Sequence, residues 1–156
     1  MKKFIIAIAI LFIISSKAST NELSGFAKIT DGDTIKILNK SIRLHGIDAP
    51  EKKQVCNKHT HKYNCGEAAT AALTKIINGK PVLCKVQSKL DRYKRYIGVC
   101  FIKGVDLNKW MVRNGYAVAY KRYSKDYIED QEYAKKNKLG LWSGDFIYPE
   151  KWRKLN

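Results

Sequence analysis

The chain has 156 residues, of which 30 are Lys or Arg and 14 are Asp or Glu, so its formal net charge is +16. That length fits one domain with a real core, and the lack of repeats, low-complexity stretches and long linkers argues against repeat and multi-domain architectures. The positive charge predicts a polyanionic partner (DNA, RNA or an anionic envelope surface), although basic residues also serve solubility alone.

The first residues have the pattern of a cleaved signal peptide. Two lysines precede an apolar run over residues 4–14, and the small residues Ser16 and Ala18 follow it. A signal peptidase reads small residues at such positions, so we expect cleavage after Ala18. The run is shorter than the roughly 20 residues of a membrane-spanning helix, although an uncleaved anchor stays open. We therefore expect a signal peptide over 1–18 and a single exported domain over 19–156, periplasmic or secreted and free of the membrane.

The remaining chain predicts strands first, then a helix, a hairpin and two further helices. Short apolar runs bounded by turn residues predict strands, whereas apolar residues three and four positions apart predict helices. Asn78 and Gly79 predict the end of the first helix. The predicted strands cover residues 25–29, 34–38, 41–44, 81–86 and 96–102, and the predicted helices cover 67–77, 107–114 and 127–138. This order fits an α+β fold, a five-stranded OB-fold β-barrel with about three helices packed beside it.

All four cysteines lie in the predicted exported domain, at Cys56, Cys65, Cys84 and Cys100. An even number of cysteines outside the cytoplasm predicts disulfides, and four cysteines allow three pairings. Cys84 and Cys100 flank the turn at residues 91–93 symmetrically, so a hairpin could bring them together and leave the first two to form a second bridge. A zinc site that adds His59 and His61 to the first two cysteines is the alternative, and export makes it the weaker one.

Carboxylates are scarce in this basic chain, yet Asp33, Asp48 and Glu51 gather in one short stretch. Two carboxylates and a backbone carbonyl can hold a hard cation such as Ca²⁺ beside a phosphate, and a third carboxylate can orient or deprotonate a water. Arg43 in the same stretch and Arg95 in the later hairpin can each bind phosphate oxygens. The aspartates could also be simple turn formers. The complete set predicts a metal-dependent enzyme that acts on nucleic acid.

Five motifs in this order resemble the thermonuclease, or staphylococcal-nuclease-like, family over residues 25–142. They are Asp31-Gly32-Asp33-Thr34, Ile42-Arg43-Leu44, Ile47-Asp48-Ala49-Pro50-Glu51, Asp91-Arg92-Tyr93-Lys94-Arg95 and Gly140-Leu141-Trp142. The resemblance implies an OB-fold endonuclease that uses Ca²⁺ to hydrolyse DNA and RNA with low sequence specificity and leaves 3′-phosphate ends. The cysteines between residues 56 and 65 resemble those of exported members of the family.

The same resemblance implies a role for each residue of the site. The implied calcium ligands are Asp33, Asp48 and the backbone carbonyl of Ala49. The implied catalytic residues are Arg43, Glu51 and Arg95, with Glu51 as the general base or the group that orients water and both arginines as clamps on phosphate. The implied substrate-binding residues are Arg92, Tyr120 and Tyr123.

Two positions depart from the family pattern. Ala49 replaces a Thr, which matters little because the implied ligand there is a backbone carbonyl. Lys94 replaces the Gly that precedes the catalytic Arg, and a turn that needs a positive φ disfavours Lys. The predicted placement of Arg95 therefore depends on whether Lys94 adopts that conformation.

Two other functions fit parts of the sequence. A non-catalytic OB-fold module that binds single-stranded nucleic acid would share the fold but would not need the full set of carboxylates and arginines. A cationic envelope-binding protein would explain the charge and leave the carboxylates unexplained. We expect a nuclease with DNA and RNA as substrates, no obligate protein partner and a monomeric state.

Overall fold

The computed structural model describes residues 21–58 and 60–156, so the predicted signal peptide lies outside the described residues. The strands of this part are β1 (Asn21–Phe26), β2 (Lys28–Ile29), β3 (Thr34–Ile37), β4 (Lys40–Leu44), β5 (Ile47–Asp48), β6 (Val55–Lys58), β7 (His61–Asn64), β8 (Pro81–Val86), β9 (Tyr96–Ile102), β10 (Val105–Asp106) and β11 (Val118–Ala119). The α-helices are α1 (Cys65–Ile77), α2 (Leu107–Arg113), α3 (Ile128–Lys136) and α4 (Pro149–Leu155), and a 3₁₀ helix covers Gly140–Ser143. Over the same ranges, no helix has the length and apolar character needed to cross a membrane.

The largest sheet curls into a barrel. β1 and β2 are two halves of one stretch, interrupted at Ala27, and they pair with β8 and β3 respectively. The sheet runs in the order β1-β8-β9-β4-β3-β2 and so returns to the stretch where it began. Neighbouring strands are antiparallel except for β4 and β9, which are parallel. The predicted α+β class and five-stranded OB-fold barrel are confirmed.

Helix α1 packs against the end of the barrel that carries the acidic motif. Its buried residues Ala69, Leu73 and Ile77 are four positions apart and form one apolar face. The loop before β3 lies directly on this face, because a Cβ built at Gly32 would come within 2.8 Å of the Cβ of Ala69. The absence of a side chain at Gly32 therefore lets the loop that carries Asp33 lie against the helix.

Both disulfides form within the described residues. Cys84 in β8 stands directly opposite Cys100 in β9, as the symmetry of the hairpin favours. Cys56 in β6 bonds to Cys65, the first residue of α1. This bridge consumes the two thiols that the alternative zinc site requires, so that alternative is wrong.

Several elements were absent from the sequence prediction: the β6–β7 hairpin, helix α4, the 3₁₀ helix and the two-residue strands β5, β10 and β11. The strands β6 and β7 form a hairpin whose polar and basic residues do not alternate with apolar ones, so no strand pattern marked it. Helix α4 was not predicted, although Pro149 at its first turn, Glu150 beside it and basic residues at its end are a typical helix pattern. Pro149 is its one buried residue, so the helix has no buried apolar face to stabilise it. Side-chain hydrogen bonds to the rest of the protein hold it in place instead.

Candidate active site

Asp33 and Asp48 lie side by side beneath the surface of the barrel. Asp33 stands just before β3 and Asp48 ends β5, and their exposed fractions are 4% and 1%. The Asp33 backbone N–H donates to Asp31 Oδ1 at 3.0 Å, which fixes the turn. Asp33 Oδ2 accepts a hydrogen bond from the backbone N–H of Ala49 at 2.7 Å, which ties the two acidic loops together.

Arg43 supplies positive charge to both aspartates. It lies on β4 opposite Thr34, and its guanidinium forms an ion pair with Asp33 and donates to Asp48 Oδ1 at 2.9 Å. Burial lowers the pKa of Arg43, and the neighbouring Asp48 opposes that shift. The charges of the two buried aspartates are thus compensated by a largely buried arginine, as buried charges require.

Glu51 stands at the rim of this cluster with a partly exposed carboxylate. Its backbone N–H donates to Oε1 of the fully buried Gln54 at 3.2 Å, and Gln54 Nε2 donates to the carbonyl of Ile147 at 2.6 Å. Helix α1 begins against the same backbone, because a Cβ at Gly66 would lie 1.8 Å from the Glu51 carbonyl oxygen. The backbone of Glu51 is therefore held by both α1 and the C-terminal segment.

Arg153, from α4, completes the cluster and was missed in the sequence. Its Nη1 and Nη2 donate to the two carboxylate oxygens of Asp48 at 2.9 and 3.0 Å, and Nη1 also donates to Glu51 Oε1 at 2.8 Å. Burial works to lower the pKa of Arg153, but its hydrogen bonds with Asp48 and Glu51 outweigh burial and raise that pKa. Arg153 and Asp48 are 105 residues apart, so no local pattern could have linked them.

The turn between β8 and β9 places Arg95 next to Arg43 but directs its side chain to Asp91. Asp91 Oδ1 accepts from the backbone N–H groups of Tyr93 and Arg95, both at 2.9 Å, and Oδ2 accepts from Arg95 Nε at 2.8 Å. Lys94 adopts the positive φ of 60° that the turn demands. Burial is the main cause of the lowered pKa of Arg43, and the positive charge of Arg95 adds to it. Arg95 is thus near the cluster without bonding to its carboxylates.

The same turn exposes an aromatic ring between two arginines. Tyr93 is 62% exposed, and its ring centre lies 4.7 Å from the guanidinium carbon of Arg92 and 5.0 Å from that of Arg95. Arg92 was predicted to bind substrate, whereas Tyr93, in the same motif, had no predicted role. An exposed aromatic ring among arginines combines a surface for stacking on a base with positive charge for phosphate.

Tyr120 lines a groove next to Asp48, and Tyr123 packs against Tyr120. Their rings meet edge to face at 4.7 Å, and Tyr123 is 64% exposed. Burial raises the pKa of Tyr120, and the charges of Asp48 and Glu150 raise it further. The groove has a volume of about 490 Å³ and extends from Asp48 and Tyr120 to α4. The predicted tyrosines are therefore at the edge of the acidic cluster, with α4 on the opposite side.

The sequence matches a known protein family. The model of the staphylococcal nuclease homologue family matches residues 41–144, about two thirds of the chain. The chain belongs to the staphylococcal nuclease family. Membership makes it a nuclease, an enzyme whose substrate is nucleic acid, in a family that uses a metal ion.

Relatives resemble the chain over most of its length. A Haemophilus influenzae protein described as an uncharacterized endonuclease is 35% identical over 153 residues, covering 93% of this chain and 80% of the relative. A micrococcal nuclease of Shigella flexneri is 30% identical over 169 residues, covering 97% and 91% respectively. The succinoglycan biosynthesis protein ExoI of Rhizobium meliloti is 34% identical over 139 residues, covering 86% and 72%.

The oxygen atoms of the acidic cluster are of the type that binds a hard metal ion, but arginine side chains now bind the carboxylates. Carboxylate oxygens of Asp33, Asp48 and Glu51 and the carbonyl of Ala49 are the oxygen ligands that Ca²⁺ and Mg²⁺ prefer. Asp48, at 1% exposure, needs a cation close by, and here Arg43 and Arg153 provide it. Among residues 21–58 and 60–156, no three His, Cys, Asp or Glu side chains are already arranged around a common point.

Proposed function

We propose that the protein is an exported nuclease that hydrolyses phosphodiester bonds of DNA and RNA with calcium, has low sequence specificity and leaves 3′-phosphate ends. The observation that carries this proposal is the pair of buried aspartates, Asp33 and Asp48, bound to Arg43 within reach of Glu51. Burial of two carboxylates costs free energy unless cations lie close to them. Such a pair is therefore suited to binding a metal ion beside a phosphate. In a nuclease, both the metal ion and the arginine side chains can supply this positive charge.

Each side chain has one task in the proposed reaction. Asp33, Asp48 and the carbonyl of Ala49 would hold calcium, which when bound supplies positive charge that stabilises the phosphate in the transition state. Glu51 takes a proton from the attacking water or orients it. Arg43 and Arg95 donate hydrogen bonds to the phosphate oxygens, where negative charge develops. The proposal thus gives the carboxylates to metal and water and the arginines to phosphate.

The substrate would be held outside this cluster. Arg92 would attract a neighbouring phosphate. Tyr120, in the groove next to Asp48, and Tyr123, packed against it, would offer aromatic rings to a base. Phosphates and base faces occur in every sequence and in both nucleic acids, which supports low specificity. We propose that the protein acts as a monomer.

Export is supported by the two disulfides, which are typical of proteins outside the cytoplasm. We propose that the signal peptide is removed after Ala18, so that the released protein begins at Ser19. The intact mass of the protein recovered from outside the cytoplasm would check this, and a mass that includes residues 1–18 would contradict it.

Digestion of DNA and RNA by Glu51→Gln tests the proposed mechanism. The rate should fall by about 10²–10⁴-fold, the usual contribution of a positioned general base. Glu132→Gln is the matched control, because Glu132 is an exposed carboxylate on α3 that pairs with Lys135. Circular dichroism would establish that both variants keep the fold.

Three outcomes would contradict the proposal. Full activity of Glu51→Gln would remove Glu51 from the mechanism, and full wild-type activity in excess chelator would remove the metal. Retarded migration of DNA without cleavage, at millimolar calcium, would favour a non-catalytic binding module. The chemistry of the ends is read by labelling the untreated products with a polynucleotide kinase, which phosphorylates free 5′-hydroxyls; products that accept label only after dephosphorylation carry 5′-phosphates and would overturn that part.

A further inference from the structure

Helix α4 brings a positive charge into the acidic cluster from the far end of the chain. The guanidinium of Arg153 meets Asp48 through two parallel hydrogen bonds of 2.9 and 3.0 Å and reaches Glu51 through a third of 2.8 Å. Bidentate pairs of this kind are the strongest charged hydrogen bonds in proteins. Both oxygens of Asp48 are thereby engaged, one of them also by Arg43.

The segment that leads to α4 is anchored at two points before Arg153. Asn57 in β6 and Asp145 exchange two backbone hydrogen bonds, of 2.9 and 3.1 Å. Gln54, which also binds the backbone of Glu51, donates to the carbonyl of Ile147 at 2.6 Å. Tertiary contacts thus set the position of Arg153, because α4 itself is two turns long and buries one residue.

A metal ion and Arg153 would compete for the same oxygens. A cation that binds Asp48 must face the lone pairs that Arg153 now uses, and two positive groups on one carboxylate repel each other. Arg153 is 34% exposed on the solvent side of Asp48, so it can withdraw toward water. Arg43 lies deeper, at 15% exposure, and stays bound to Asp33.

We propose that Arg153 is a built-in competitor of the metal ion, which sets how tightly the site binds calcium. The proposal rests on the proposed function, because it takes Asp48 as a metal ligand and Glu51 as the residue that handles water. With Arg153 in place, Asp48 is neutralised and Glu51 is occupied. With calcium held by Asp48, the Arg153 guanidinium would withdraw toward water, and Glu51 would then be free to accept a hydrogen bond from water.

Calcium titration of Arg153→Gln by isothermal calorimetry tests this inference without any nucleic acid. The dissociation constant should fall by about tenfold or more relative to the wild type, within the range typical of coupled equilibria. Lys154→Gln is the matched control, because it removes one positive charge from the neighbouring position, where the amine contacts Glu150 and neither Asp48 nor Glu51. Its dissociation constant should stay within about twofold of the wild type, since exposed charges interact weakly through water.

Each other outcome overturns the inference. An unchanged dissociation constant in Arg153→Gln, with a lower unfolding midpoint, would mean that Arg153 stabilises the position of α4 and does not affect calcium binding. Weaker calcium binding would mean that Arg153 holds the ligands in place. An equal gain in both variants would reduce the effect to net charge. No calcium binding to any of the three proteins would remove the competition altogether.

The fate of the proposed function is decided separately. If wild-type protein cleaves DNA with calcium and stops in chelator while Arg153→Gln binds calcium with wild-type affinity, the inference fails and the proposed function stands. If wild-type protein binds calcium but does not cleave, the proposed function fails, and the affinity of Arg153→Gln still decides the inference about Arg153.

Discussion

At the scale of residues, Asp91 determines the position of Arg95. One carboxylate binds two backbone N–H groups of the turn and the guanidinium of Arg95. Asp91→Asn keeps the shape but loses the charge that holds the guanidinium, so Arg95 would sample other positions. We expect kcat on DNA to fall by about 10- to 100-fold with little change in KM, because misplacing a catalytic group affects mainly the transition state.

Lys94→Gly is the control for Asp91→Asn. Lys94 has φ at 60°, a conformation that Gly adopts freely, so this variant relaxes the turn and keeps both backbone bonds to Asp91. Its kcat should match that of the wild type. Equal loss in both variants, measured in the same steady-state assay, would show that kcat responds to any change in the turn and would contradict the positioning role of Asp91.

The pKa of Asp91 gives this interaction a pH dependence. Its partial burial raises the pKa, but hydrogen bonds from Arg95 and Tyr93 outweigh that effect and leave the pKa lowered. A lowered pKa in the folded state stabilises the protein above the unfolded value of about 3.9, and this stabilisation is lost as the pH falls through the folded value. The difference in unfolding free energy between wild type and Asp91→Asn should thus be constant near neutral pH and shrink below about pH 4. Denaturant titrations at several pH values measure it, and a difference that grows in acid would contradict the sign.

The residues of the site differ in how far sequence could locate them. Asp33 and Asp48 could be predicted to meet, because one β-hairpin separates them and a short turn brings its ends together. The side-chain direction of Arg95 could not be predicted, because it depends on the hydrogen bonds that Asp91 makes within the turn. Arg153 gave no signal at all, because its partners lie more than one hundred residues away in sequence.

At the scale of elements, the β6–β7 hairpin supports the C-terminal segment. The bridge between Cys56 and Cys65 ties this hairpin to α1, and Asn57 within it pairs with Asp145. Replacing both cysteines by Ser should lower the unfolding free energy by about 2–3 kcal/mol, the estimate for a short closed loop. It should also speed amide exchange in residues 145–155, because their anchor loosens while the barrel persists.

The second disulfide offers the matched comparison. Cys84 and Cys100 join neighbouring strands of the barrel core and contact no part of the C-terminal segment. Replacing both of these cysteines by Ser should lower the unfolding free energy by about 3 kcal/mol. Amide exchange in residues 145–155 should then speed up only as much as global unfolding does. Hydrogen exchange read by mass spectrometry distinguishes the two. Unchanged exchange of the segment after loss of the first bridge would contradict its anchoring role.

Elements that bury an apolar face were easier to predict than those held by side-chain contacts. The bounds predicted for β8 and β9 agree with the structure, because apolar residues run between well-marked turns. The β6–β7 hairpin buries little besides Cys56, and α4 buries Pro149 alone. Their formation depends on a disulfide and on partners distant in sequence, which hydrophobic patterns do not report.

At the scale of the whole molecule, the fold class followed from the order of elements, while barrel closure did not. Three strands, a helix and a hairpin fit an OB-fold, and each pairing within those hairpins is local. Closure depends on one stretch that pairs with β8 through its first half and with β3 through its second. Gly25, two residues before the break at Ala27, has a φ of 155° that favours glycine, but a single glycine in a strand does not specify a change of partner.

The net charge of the proposed released protein is +13, because the signal peptide takes three of the lysines behind the full-length value of +16 (16 − 3). This charge predicts that salt weakens DNA binding strongly, because each neutralised phosphate releases condensed counterions. Binding without cleavage can be measured with Glu51→Gln at fixed calcium, by fluorescence anisotropy over a range of salt concentrations. Adding Arg92→Gln should lower the slope of log K against log salt by about one, as expected for the loss of one phosphate contact. Arg92 lies in the turn before β9, so its effect tests where the DNA binds.

Lys103 is the control for that experiment, since it lies in the exposed turn at the opposite end of β9. The seven residues of β9 place the two turns roughly 20 Å apart at about 3.3 Å per residue. Lys103→Gln should therefore leave the slope unchanged if DNA lies along the turn of Arg92 and Tyr93. Equal changes in both variants would mean that the positive charge acts over the whole surface, and DNA would then be attracted without a defined path to the site.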